Sequence, residues 1–98
     1  MDKLIPDKAI AALNTHKDEW ARLPIAEKIS LFQGATKKTA EVADNWVAAA
    51  VQAKSIPEDS PLVGEEWASG PWALIYGIES MVGTLKSLDK GKNPPIGK

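Results

Sequence analysis

The feature that most constrains this chain is a run of apolar and small residues between positions 25 and 53. Ile25, Ile29, Phe32, Thr36, Thr39, Ala43, Trp46, Ala50 and Ala53 follow one another at alternating steps of four and three without a slip. A strand returns to one face every second residue, whereas steps of three and four return to one side of an α-helix. The run therefore predicts a single long helix over about 25–54, bounded by Pro24 and by Ile56-Pro57. Its stripe is large at Ile25, Ile29 and Phe32, small from Thr36 to Ala43, and large again at Trp46. Small residues let a neighbouring helix approach closely, and the large ones would grip its ends. A helix of this length has to bury that stripe against another element, which sets the fold class before anything else is read.

Two further segments share the helical period. Ile10, Leu13, Lys17 and Trp20 recur at steps of three and four, with alanines at 9, 11 and 12 adding helix propensity. Pro6 and Asp7 suit a first turn, so a helix is expected at about 7–21. Leu23-Pro24 ends it, because the residue before a proline is pushed out of the α region. Pro24 then serves as the opening residue of the long helix. Beyond the loop at 55–64, Trp67, Pro71, Leu74, Ile78, Met81, Leu85 and Leu88 form another stripe, widened by Ile75 and Val82. This predicts a third helix at about 65–89, kinked or broken at Gly70-Pro71 since an internal proline removes a helical hydrogen bond. Gly91 suits the end of that helix. Residues 1–6 form a lead-in, and 91–98, with two prolines and no packing pattern, an extended or disordered tail. No stretch reads as a strand. The expected architecture is all-α: three main helices in a single helical domain or domain fragment over 1–90, the second and third long and antiparallel.

Composition narrows function mainly by exclusion. The 98 residues carry 12 basic and 13 acidic side chains. They are spread evenly, seven of each in residues 1–50 and five against six in 51–98. There is no basic face of the kind nucleic-acid binding requires, and no polybasic membrane anchor. No apolar run approaches a membrane span, and the charged, proline-containing start does not read as a signal peptide. The absence of cysteine removes disulfides, thiolate metal sites and a cysteine nucleophile, and fits a reducing, cytoplasmic setting. No glycine-rich phosphate loop and no internal repeat is present.

Few residues offer chemistry. His16 is the single histidine, and with no cysteine partner it makes a poor zinc ligand. Glu58-Asp59 and Glu65-Glu66 are adjacent acids, but the second pair falls at a helix start, where acids are favourable for structural reasons. No catalytic, cofactor-binding or metal residue is expected. Four tryptophans in a chain this short stand out. Core packing is the ordinary role of such side chains. Any of Trp46, Trp67 and Trp72 left exposed would mark a docking surface.

The segment DEWARLPIAEKISLF at 18–32, with Trp20, Leu23, Pro24, Glu27, Lys28 and Ile29, resembles the N-terminal helical region of the aldehyde dehydrogenase superfamily. The later SPLVGEEWASGPWALIYGIESM is similar to a bacterial branch of that family, in which a Gly-Glu-Glu-Trp…Gly-Pro segment opens the next helix. The resemblance spans about residues 8–90 and rests on structural motifs. It implies a parent that oxidises an aldehyde with NAD or NADP, using a cysteine nucleophile, a glutamate base and an oxyanion-stabilising asparagine. All of these lie on later parts of a much longer chain and have no counterpart here. The helices would then be a scaffold, inactive alone, with the first lying against the second and the remainder of a dehydrogenase fold, or self-association through apolar faces, supplying their cover. The alternative is a stand-alone helical protein–protein interaction module.

Overall fold

A computed structural model describes residues 4–94. The lead-in at 1–3 and the last tail residues, 95–98, lie outside the described residues. Among the described residues all regular structure is helical: α1 Leu4–Arg22, α2 Ile25–Ala53, α3 Leu62–Ser69 and α4 Pro71–Asp89. α1 starts three residues earlier than expected. Pro6 thereby falls in its first turn, where backbone N–H groups have no helical partner and a proline costs nothing. α3 also starts earlier, at Leu62, after a turn in which the Leu62 amide donates to the Ser60 hydroxyl at 3.2 Å. The expected break is present as two helices, with Gly70 between them and Pro71 opening α4.

Helix ends are closed by recognisable devices. After α4, the Gly91 amide donates to Leu88 O and the Lys92 amide to Ser87 O, at 3.0 and 2.9 Å. Gly91 sits at φ 70°, the left-handed conformation that this closure needs. After α2 the same pattern recurs, with Ser55 donating to Gln52 O and Ile56 to Val51 O. There the left-handed position is held by Ser55 at φ 54°, a serine in a place that favours glycine.

Packing joins α2 to α4 along their length, with α3 touching both. The pairing is antiparallel. Thr36, in the first half of α2, donates to Glu79, midway along α4, at 3.0 Å. Trp46, further along α2, lies against Gly70 at the start of α4. The buried side chains are Thr39, Ala43 and Val47 from α2, with Pro71 and Val82 from α4. Thr39 keeps its hydroxyl satisfied by donating to Ala35 O at 2.8 Å.

The buried faces are not quite the stripes expected. On α2, Val47 takes the place expected for Trp46. On α4, the covered line is buried Pro71 and Val82 with half-buried Ile75, Ile78 and Leu85, whereas Leu74, Met81 and Leu88 are exposed. The shift on α2 has a geometric cause. A four-three repeat averages 3.5 residues per turn, but a straight helix has 3.6, so a seven-residue series slides by about 20° per repeat. Over α2 the contact line therefore moves one residue onward; on α4, Leu74, Met81 and Leu88 lie roughly 60–100° to one side of the Pro71–Val82 line from the first turn and form a flank.

α1 departs furthest from expectation. It does not lie against α2; its length packs on no other helix, and none of its residues is buried. Pro24, at φ −54° and ψ 142°, starts α2 in a direction that leaves α1 projecting from the helix pair. The radius of gyration is 17.7 Å, against about 13 Å for a compact domain of this length.

Candidate docking surface

The tryptophans occupy distinct environments. Trp20, near the end of α1, meets Phe32 of α2 edge-on with centroids 6.2 Å apart, and the Lys28 ammonium stands 5.3 Å over its ring. This contact ties the base of α1 to the start of α2. Trp46 packs over Gly70, where an added Cβ would meet its ring at 3.3 Å. Trp72 is 61% exposed and stacks on Tyr76, centroids 5.0 Å apart and planes 19° apart. Trp67, on α3, is exposed as well. Trp46 and Trp72 thus face different neighbours, and the structure does not gather the three into one aromatic pocket.

The charged residues are engaged structurally. Glu66 accepts from Lys54 at 2.8 Å, joining the end of α2 to α3, and its carboxylate is nearly covered. Glu65 lies in the first turn of α3, near the positive end of the helix. His16 pairs with Glu19 one turn away at 3.2 Å on the exposed surface of α1. Among the described residues, no group of three or more His, Cys, Asp or Glu side chains is placed to hold a metal ion. Among the described residues, no helix is long and apolar enough to cross a membrane. An open cavity of about 560 Å³ lies between α2 and the following loop, walled by Val47, Val51 and Ile56 with Asp44 and Glu58 at its edge.

What the surface does offer is unpartnered apolar area. Leu13 of α1 is 71% exposed, and Ile5, Ile10 and Trp20 on the same helix are exposed too. Ala9, Ala12, Leu13, His16, Lys17 and Trp20 border a concavity of about 800 Å³ along one side of α1. Leu74, Met81 and Leu88 on α4, with Leu31, Val42 and Trp46 on α2, are exposed in turn. The chain exposes 7838 Å² in all, whereas a compact monomer of 10.5 kDa exposes about 5,400 Å².

No family model, curated protein or solved structure matches this chain.

Proposed function

We propose that this chain is a helical scaffold that contributes packing surface and no reacting group. In its most specific form it is the N-terminal helical region of an aldehyde-dehydrogenase-like, NAD(P)-dependent oxidoreductase of the bacterial cytoplasm, inactive alone. The observation that carries the scaffold reading is the pair of open apolar surfaces, one on α1 and one on the outer flank of α2 and α4. Soluble monomers rarely leave contiguous apolar patches beyond a few hundred Å² uncovered. The family assignment is supported by the order of residues at two breaks: Trp20, Leu23 and Pro24 before the long helix, and Gly64 to Pro71 before the last. In that reading the catalytic cysteine and the dinucleotide site belong to other parts of the fold, and these helices frame them.

The test adds the purified chain to an aldehyde dehydrogenase from which the N-terminal helices have been removed, and follows NAD(P)H formation. Recovery of activity is the expected result, with none from the chain alone. If nothing is recovered and the two do not bind, the family assignment fails. The scaffold reading is tested separately, by an apolar dye and a thermal melt. A chain that binds no dye and melts in one sharp transition as a monomer has no surface waiting for cover, and would sink it.

A second reading, a stand-alone interaction module, is favoured by one feature. Leu31 and Val42 of α2 and Leu74, Met81 and Leu88 of α4 are exposed, an apolar flank that one further helix could cover, a common mode of helical recognition.

A further inference from the structure

We propose that the groove between α2 and α4 is the seat of α1 from a second copy of this chain, and that two copies exchange these helices reciprocally. The inference rests on the scaffold reading and names its partner.

The groove follows from register. Thr36 bonded to Glu79, and Trp46 seated on Gly70, fix how α2 and α4 run past each other. With about 100° of rotation per residue, Glu79 lies on one flank of α4, and Leu74, Met81 and Leu88 lie on the other. The same register sets Val42 of α2 beside Leu74, and Leu31 towards Met81 and Leu88. That flank of α4 carries no charge: between the three large residues lie Ala73, Gly77, Ser80 and Thr84. Large side chains spaced by a turn or two, with small ones between, form the ridges and grooves that accept a helix.

α1 has the matching form. Ile5, Ala9, Ile10, Leu13, His16 and Trp20 fall on one side together with Lys17, whose aliphatic stem can lie along a seam with its ammonium at the edge, and Asp7, Asn14, Asp18 and Arg22 fall opposite. It is 19 residues long, as is α4. Its own groove is out of reach in this arrangement, because only Leu23 and Pro24 link α1 to α2 and the Trp20–Phe32 contact holds its base outward. A second copy meets no such limit. The exchange closes on itself under two-fold symmetry, so each copy gives one helix and receives one.

Area is sufficient for a second copy. A stable interface buries about 800 Å² per partner. The surface in excess of a compact monomer is roughly 2,400 Å² per chain. Two α1-in-groove seams draw on both open surfaces at once, so one partner covers both. A net charge of −1 imposes little repulsion between copies.

The experiment combines light scattering with cross-linking, which is direct because the chain has no native cysteine. Leu13→Cys and Met81→Cys, each near the middle of its helix, are mixed and joined with a short bis-maleimide. The expected results are a mass twice that of one chain and a cross-link between Leu13→Cys of one copy and Met81→Cys of the other. Leu13→Asp should raise the dissociation constant at least tenfold. Since Leu13 packs on nothing in the single chain, circular dichroism should show the α2–α4 body intact. A monomer that still binds apolar dye would overturn the exchange and leave the scaffold reading standing. A monomer with a sharp melt and no dye binding would end both. Cross-linking within one chain carrying both cysteines, or only Leu13 to Leu13 between copies, would equally overturn the exchange.

Discussion

Gly70 sets the geometry at the α3–α4 break, and its replacement by alanine gives the sharpest test of the packing described. An ideal Cβ there lies 2.7 Å from the carbonyl oxygen of Glu66 and 3.3 Å from the ring of Trp46. The first distance is below any contact real side chains make, and it is to backbone. Glu66 O already accepts from the Gly70 amide at 3.1 Å, so it cannot move off without disturbing the end of α3. Trp46 would have to retreat as well. Overpacking of this kind costs about 1–3 kcal/mol, and with two neighbours displaced the upper half of that range is expected. For a domain of this size that is a fall in melting temperature of about 10–20 °C. Gly83→Ala is the control. It too lies in α4, an added Cβ there meets nothing within 4 Å, and alanine in a helix interior gains about 0.5–1 kcal/mol over glycine. The assay is a thermal melt followed by tryptophan fluorescence at one fixed protein concentration, since association would shift both midpoints. If Gly70→Ala melts at or above the parent temperature, the approach of α3, Trp46 and α4 described here is wrong.

Other substitutions probe the remaining features. Ser55→Gly should stabilise the chain by about 1 kcal/mol, because Ser55 holds a left-handed position at the end of α2; a urea midpoint that falls instead would contradict that closure. Val82 is 2% exposed, so Val82→Ala should cost about 1.5–3 kcal/mol through lost burial and an unfilled space. Met81→Ala, one residue away, should cost under about 0.5 kcal/mol in the monomer; equal costs in denaturant melts would mean the buried line on α4 has been misplaced. Lys54→Ala should cost less than about 1 kcal/mol, because the Lys54 end of the pair with Glu66 is largely in solvent. A double-mutant cycle with Glu66→Gln should show that coupling fade as salt is raised.

The breaks in this fold were legible because proline and glycine act locally. Pro24, Gly70-Pro71 and Gly91 each dictate backbone geometry over two or three residues, and each stands where a helix starts or stops. The α2–α4 pairing was legible because so long a stripe has few other solutions. The choice between Trp46 and Val47, or between Leu74 and Ile75, was not. On α2 it depends on a small accumulated rotation, and on α4 on which of two adjacent apolar residues faces α2, neither of which a residue-by-residue reading resolves. Ser55 gave no sign of its conformation either, since nothing in KSIP demands a positive φ. The outward course of α1 was the least legible. Ile10, Leu13 and Trp20 mark it as a helix with an apolar side, but amphipathic character says that a face needs cover and not which body supplies it. The docking surface is a difference between what is apolar and what is already covered, so it emerges only once the contacts are known.

The exposed course of α1 has a thermodynamic consequence. Helices of fewer than about 15 residues are marginal in water by themselves, and most helical stability in proteins comes from tertiary packing. α1, 19 residues with no buried side chain, stands little above that margin. Its backbone order and its engagement with any cover are then two aspects of one event. Calorimetry should record that event as a drop in heat capacity on association, larger than rigid surfaces of the same area would give, because ordering of the chain accompanies burial.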